Sequence, residues 1–210
     1  MATDTWDGWF EPYALALGYL LRDWNDLQDQ LAILFVTITA HCKPDIPQAA
    51  WGAVPNDRMQ RAMLLAVAKV CFTPSDSPLV PQHSNEADAA ILKEISWIVE
   101  KSDNTGRQRD DAAHAPLALL LELTEDGKTE GAQFIAHTDQ GHPLAEKLKD
   151  KNVLAEYQYY RERMVVLRKY AHQIEQYLRY QRSWPFPKRP ELPSPPQSLT
   201  HTGEKDQGTG

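Results

Sequence analysis

The sequence predicts an all-α protein: an up-down helical bundle with a small β-hairpin insertion and a disordered or extended C-terminal tail. Three observations lead there. Leu17, Leu20, Trp24, Leu27, Leu31, Leu34 and Ile38 recur in steps of three and four, the a/d pattern of a long helix that buries one stripe. Tyr157, Tyr160, Met164, Leu167, Ala171, Ile174 and Leu178 repeat the pattern far down the chain, and two matching seams make an up-down bundle the economical fold. The same stripes are also suited to a dimer seam. Beyond Arg182 come Pro185, Pro187, Pro190, Pro193, Pro195 and Pro196, which neither a helix nor a sheet accommodates. The expected boundaries are a helical domain over residues 1–182 and a Pro-rich tail over residues 183–210.

Trp6, Trp9, Phe10 and Tyr13 form an aromatic opening, suited to closing the end of a core or to a dimer contact. Pro12 fits the first turn of a helix that runs to about Cys42, roughly 45 Å at ~1.5 Å per residue. Its polar face carries Arg22, Asp23, Asp26 and Asp29, with solvent as the expected surroundings of both Asp23 and Asp26. Residues 43–56, with Pro44, Pro47 and Pro55, read as a connecting loop, and Asn56 or Asp57 as the cap of the next helix. Met59, Met63, Ala66 and Val70, with Val67 alongside, mark the expected core stripe of that helix. A second Pro-rich loop follows, then Asn85 and Asp88 as a capping pair. Ile91, Ile95 and Ile98, with Leu92 and Val99, define a third helix, which Ser102 to Gly106 should loosen or break. The residue before Pro116 disfavours helix, so the next helical stretch should end near His114. Leu117–Leu123 and Gln133–His137 are short apolar runs around Asp126-Gly127, a hairpin signal. A helix over residues 117–122 is the alternative, since leucine favours helix. The last long helix should begin near Leu144 or Val153.

With 42% hydrophobic and 24% charged residues, the composition is that of a globular chain long enough for a substantial core. No apolar run approaches the ~18 residues of a membrane span. Met1 to Asp7 has acids and no basic residue, so neither a secretory leader nor a membrane partner is expected, and the expected location is cytoplasmic. Cys42 and Cys71 form no metal or redox spacing. There is no Gly-rich phosphate loop, no His-Glu-x-x-His, no nucleophile elbow and no paired Cys motif. The other histidines are scattered, so no cofactor and no metal are expected. The net charge of −7 disfavours a protein that coats nucleic acid, yet it is unevenly spread: −12 over residues 1–146, +7 over 147–189 and −2 beyond. A basic last helix is suited either to a phosphate backbone or, more simply, to acidic neighbours in the bundle.

The chemistry-bearing stretch is Arg107-Gln-Arg-Asp-Asp-Ala-Ala-His114-Ala-Pro116. Asp110 and His114 are four apart and share a helix face, where a carboxylate can orient an imidazole and raise its pKa. Arg109 lies roughly 140° round the helix from His114, within reach of the same pocket. Arginine for a phosphate and histidine for a proton make a candidate phosphoryl-transfer site. Arg109-Asp110-x-x-x-His114 also resembles the signature of the HEPN family, an arginine, a polar residue and a histidine a few positions on. That resemblance implies a helical bundle, commonly dimeric, whose active members cut RNA without a metal, and it raises a toxin–antitoxin arrangement with an antitoxin-like partner protein. It also implies roles. Arg109 holds a phosphate oxygen, and His114 takes the 2′-hydroxyl proton or protonates the leaving oxygen. Asp110 fixes the tautomer, and a homodimer supplies a second histidine.

The rival reading is a non-catalytic binding or scaffold module on the same bundle. There Arg109 pairs with an acid such as Asp23 or Asp26 and holds its helix in place. A third reading makes the Pro-rich tail the ligand of a partner groove. An exposed cleft holding both Arg109 and His114 favours catalysis, whereas a buried, ion-paired Arg109 favours a structural role.

Overall fold

The computed structural model describes residues 6–39, 43, 45–73, 86–127, 129–138, 141–180 and 185–197. In chain order the elements are α1 (Trp6–Ile38), α2 (Asp45–Ala53), α3 (Asp57–Phe72), α4 (Glu86–His114), β1 (Leu117–Leu123), β2 (Thr129–Ala136), α5 (Pro143–Glu146) and α6 (Val153–Arg179). The fold is helical with one two-stranded antiparallel hairpin. The described residues fall into two compact units. One draws on Met1–Tyr19, Arg109–Tyr159 and Ser194–Gly210 and holds the hairpin; the other draws on Leu20–Gln108 and Tyr160–Pro193 and is a helical bundle.

In the bundle unit both seams are buried as their spacing predicts. Leu20, Leu27, Leu31 and Leu34 of α1 are sealed from solvent, as are Met164, Leu167, Ala171 and Ile174 of α6 and Ile91, Ile95 and Ile98 of α4. Polar contacts give the helix directions. Asp23 meets Arg161, Asp26 meets Arg168 and Thr37 meets Glu175, so α1 and α6 run parallel. Thr105 meets Arg163 while Glu94 meets Tyr170, so α4 runs antiparallel to α6.

Several local expectations are corrected. Pro12 lies inside α1, which begins at Trp6 and takes in the aromatic opening. The presumed loop at residues 43–56 contains α2: Pro47 sits in its first turn, where a missing N–H leaves no bond unmade, and Trp51 is buried against Phe35 at 5.4 Å. Asn56 caps α3 by accepting the Met59 N–H, but the buried face is not the methionine stripe. Arg61, Leu64, Ala68 and Phe72 face inward, while Met59 is exposed and Val70 is 79% exposed. Arg61 can occupy a core row because Asp103 accepts its Nε–H at 2.6 Å and its guanidinium lies 5.0 Å over the Trp24 ring. The ion pair and the ring face together offset part of the cost of the buried charge.

The expected break at Ser102–Gly106 does not occur; α4 is continuous through it. Ser102 and Thr105 are buried, and the Thr105 hydroxyl donates to the Lys101 carbonyl. Gly106 serves close packing: a Cβ there would come 2.6 Å from Cη2 of Trp24. Asp23, expected in solvent, is buried between Arg22 and Arg161. Burial raises its pKa, but the hydrogen bonds and charges of the two arginines outweigh this and the net shift is downward. The described part of α1 ends at Ile38; the expected helix end near Cys42 and the capping residue Asn85 lie outside the described residues.

In the hairpin unit, β1 and β2 pair from Leu117↔Ala136 to Leu123↔Thr129, with a register shift at Glu122/Leu123. Gly127 in the turn has φ +76°, the left-handed region glycine enters without steric cost. Tyr13 of α1 covers the outer side of β2. Its ring meets Phe134 at 4.7 Å, and its hydroxyl accepts the Phe134 N–H at 2.9 Å. The last helix begins at Val153, preceded by the single turn of α5. Of the tail, residues 185–197 form neither helix nor strand, and residues up to Arg189 are fastened to the bundle unit. The disorder expected of residues 198–210 lies outside the described residues.

Candidate functional site

Arg109, Asp110 and His114 all lie on the final turns of α4. The helix ends where Pro116 requires: the Ala115 N–H closes the last turn on the Asp111 carbonyl at 3.0 Å, and the His137 N–H takes the Pro116 carbonyl at 2.9 Å. Two further contacts fasten this stretch. The Tyr157 hydroxyl donates to the Ala112 carbonyl at 3.2 Å, and Lys147 meets both oxygens of Asp111 at 2.8 Å. Burial and the neighbouring Tyr13 push the Tyr157 hydroxyl pKa up, which keeps it a neutral donor.

The three candidate residues do not assemble as expected. Arg109 is only 17% exposed at its side chain and is ion-paired with Asp110 at 2.5 Å. Asp110 is 56% exposed and turned to that guanidinium, so the expected Asp110–His114 hydrogen bond does not form. The reason is competition: a permanent cation next door outbids an imidazole one turn away. His114 is exposed at the helix C-terminus and makes no hydrogen bond or ion pair among the described residues. A histidine there faces the negative end of the helix dipole. Asp23 and Asp26, the acids considered for Arg109, are held by Arg161 and Arg168. Those pairs also account for part of the basic charge on α6.

A second polar constellation, not anticipated from sequence, lies in the bundle unit where the Pro-rich segment meets α4 and α6. Arg189 forks onto Glu94, with Nε to Oε2 at 2.7 Å and Nη2 to Oε1 at 2.8 Å. The Tyr170 hydroxyl donates to the same carboxylate at 2.9 Å and lies 3.5 Å from the Pro187 carbonyl. The Arg189 guanidinium stacks 5.1 Å over Trp97, Trp97 stands edge-on to Tyr170, and Phe186 stands edge-on to Tyr177. Burial pushes the Glu94 carboxyl up, yet Arg189 and Tyr170 together bring it below its ordinary value. The Tyr170 hydroxyl is raised by burial and by Glu94. The available signal was the i, i+3 pair of Glu94 and Trp97 on one helix face together with an arginine among prolines.

Among the described residues no group of three His, Cys, Asp or Glu side chains is placed to hold a metal, and no helix is long and apolar enough to cross a membrane. No family model, curated protein or solved structure matches the chain.

Proposed function

We propose that this chain is a non-catalytic helical binding module that self-associates, with the Arg109–His114 stretch in a structural role. One observation carries the reading: Arg109, the group that would hold a phosphate, is largely buried and ion-paired with Asp110 instead of opening beside His114. The Asp111–Lys147 and Tyr157–Ala112 contacts fit the same purpose of anchoring the end of α4.

Self-association is supported by the hairpin. Tyr13 covers the outer side of β2, whereas among the described residues no hydrogen bond reaches the outer edge of β1. That strand reads Leu-Ala-Leu-Leu-Leu-Glu-Leu, with Leu120, Leu121 and Leu123 exposed. An apolar edge with one charge is a template for another strand, and antiparallel pairing of two β1 edges would give a homodimer.

A second reading, a HEPN-like metal-independent endoribonuclease with RNA as substrate and an antitoxin-like partner, is favoured by the exposure of His114 on the same helix end. One experiment separates the two. Arg109→Ala and His114→Ala are made in the full chain, and melting temperature and cleavage of a mixed RNA pool are measured. The structural reading expects wild-type protein to leave the pool intact. Arg109→Ala should lose about 1 kcal/mol, because Asp110 is exposed and its pair with Arg109 is screened by solvent. His114→Ala should melt like wild type. Cleavage by the wild type that falls roughly 10²–10⁴-fold in His114→Ala establishes the nuclease instead.

A further inference from the structure

We propose that the face formed by Glu94, Trp97, Tyr170 and Tyr177 is a recognition groove for a Pro-rich, Arg-bearing segment. In this chain it is held by the chain's own residues 185–189, and it takes the same segment from a second copy. Every specific contact comes from a short stretch, Pro185-Phe186-Pro187-Lys188-Arg189: an aromatic edge, a backbone carbonyl and a forked arginine. Proline fixes φ, and the residue before each proline is pushed to extended backbone. Such a segment therefore loses little conformational freedom on docking. Aromatic walls for the prolines and a carboxylate for a flanking arginine are the means by which Pro-rich ligands are bound.

The contact is that of a ligand rather than of a core element. Arg189 remains 36% exposed at its side chain and Phe186 37% exposed. Open space of about 530 Å³ remains beside the segment, between Pro185 and Pro187 on one side and His172, Gln176 and Tyr177 on the other. The receptor side, in contrast, is carried by the long helices: Tyr170 and Tyr177 are buried side chains of α6, and Trp97 of α4 stands edge-on to Tyr170. A tethered ligand enjoys an effective concentration of order millimolar, so a segment from a second copy enters when the chain's own is displaced.

The test uses full-length protein and a fluorescent peptide of residues 184–197 as the second copy's segment. In Arg189→Glu the chain's own segment is repelled by Glu94 and the groove is vacated with its walls intact. Fluorescence anisotropy should show the peptide binding this variant at least about tenfold more tightly than wild type. Adding Glu94→Ala should weaken that binding about 10- to 100-fold, the loss of one charged, hydrogen-bonded pair. Arg189→Ala serves as the vacated protein if the charge reversal lowers the helical circular dichroism signal. Peptide binding to neither vacated variant, or equal binding with and without Glu94, overturns the proposal.

Discussion

Replacing Gly106 by alanine should lower stability, although in the middle of a helix the same change ordinarily raises it by about 1 kcal/mol. The added Cβ would stand 2.6 Å from Cη2 of Trp24 and 3.3 Å from Cζ2 and Cζ3, where carbon atoms prefer roughly 3.5–4.0 Å. About 1 Å of movement is therefore required. The ring has little to give, because Trp24 is 1% exposed, its Nε1 donates to Asp57 at 2.7 Å, and Arg61 lies over its face. Overpacking of this kind costs about 1–3 kcal/mol, and a rigid aromatic partner places it in the upper half of that range. The net loss is then about 1–2 kcal/mol, or roughly 2–8 °C in melting temperature for a chain of this size. Circular dichroism melts decide it, with Gly18→Ala as control. Gly18 is exposed in α1 with nothing near its would-be Cβ and should gain about 0.5–1 kcal/mol. Trp24→Phe removes the crowding carbons, so in that background Gly106→Ala should turn neutral or stabilising. A Gly106→Ala protein melting at or above wild type refutes the reasoning.

Asp103→Ala should destabilise by about 3 kcal/mol, since it strands the buried Arg61 guanidinium without its counter-charge; urea titration at neutral pH measures it, and a loss under 1 kcal/mol contradicts the assigned role. Acid should weaken the bundle unit through Asp23 and Glu94. Both have folded pKa values below their ordinary ones, so their contribution is fully present above about pH 4.5 and is lost as pH falls through the lowered values. The stability gap between wild type and Glu94→Gln, set in the structure by Arg189, Tyr170 and Lys93 around that carboxylate, should therefore close below about pH 4; a gap constant from pH 7 to 3 contradicts this. Finally, Leu121→Lys should shift wild-type dimers to monomers in sedimentation at micromolar concentration, because a lysine on an exposed edge opposes strand pairing; a wild-type monomer removes the self-association half of the proposed function.

The long helices α1 and α6 were legible because a mainly apolar row repeats at helical spacing along most of each, and the buried row of α4 was legible from Ile91, Ile95 and Ile98. The hairpin was legible from Asp126-Gly127 and the α3 cap from Asn56. What stayed hidden depends on partners distant in the chain. Gly106 reads as a helix breaker until Trp24 is seen against it. On α3 two stripes have helical spacing, and the correct one contains Arg61, which only Asp103 and Trp24 make acceptable in a core. Arg109, Asp110 and His114 were correctly placed on one helix end, but which side chain Asp110 would choose is a rotamer question that spacing leaves open. Glu94 and Arg189 stand 95 residues apart, too far for any local pattern to join them.

The parallel pairing of α1 with α6 has a consequence during synthesis. Its polar contacts join residues about 140 positions apart. At roughly 5–20 residues per second on the ribosome, α1 waits about 7–28 s for that partner to be made. Through that interval the leucine row from Leu20 to Ile38 lacks its α6 partner on a nascent chain. Partial shelter comes earlier: Trp51 of α2 meets Phe35, Asp57 and Arg61 of α3 meet Trp24, and then Gly106 of α4 receives that ring. The chain should accordingly depend on holding chaperones while it is made, and moving the α6 sequence ahead of α1 by circular permutation should relieve that dependence without changing the folded contacts.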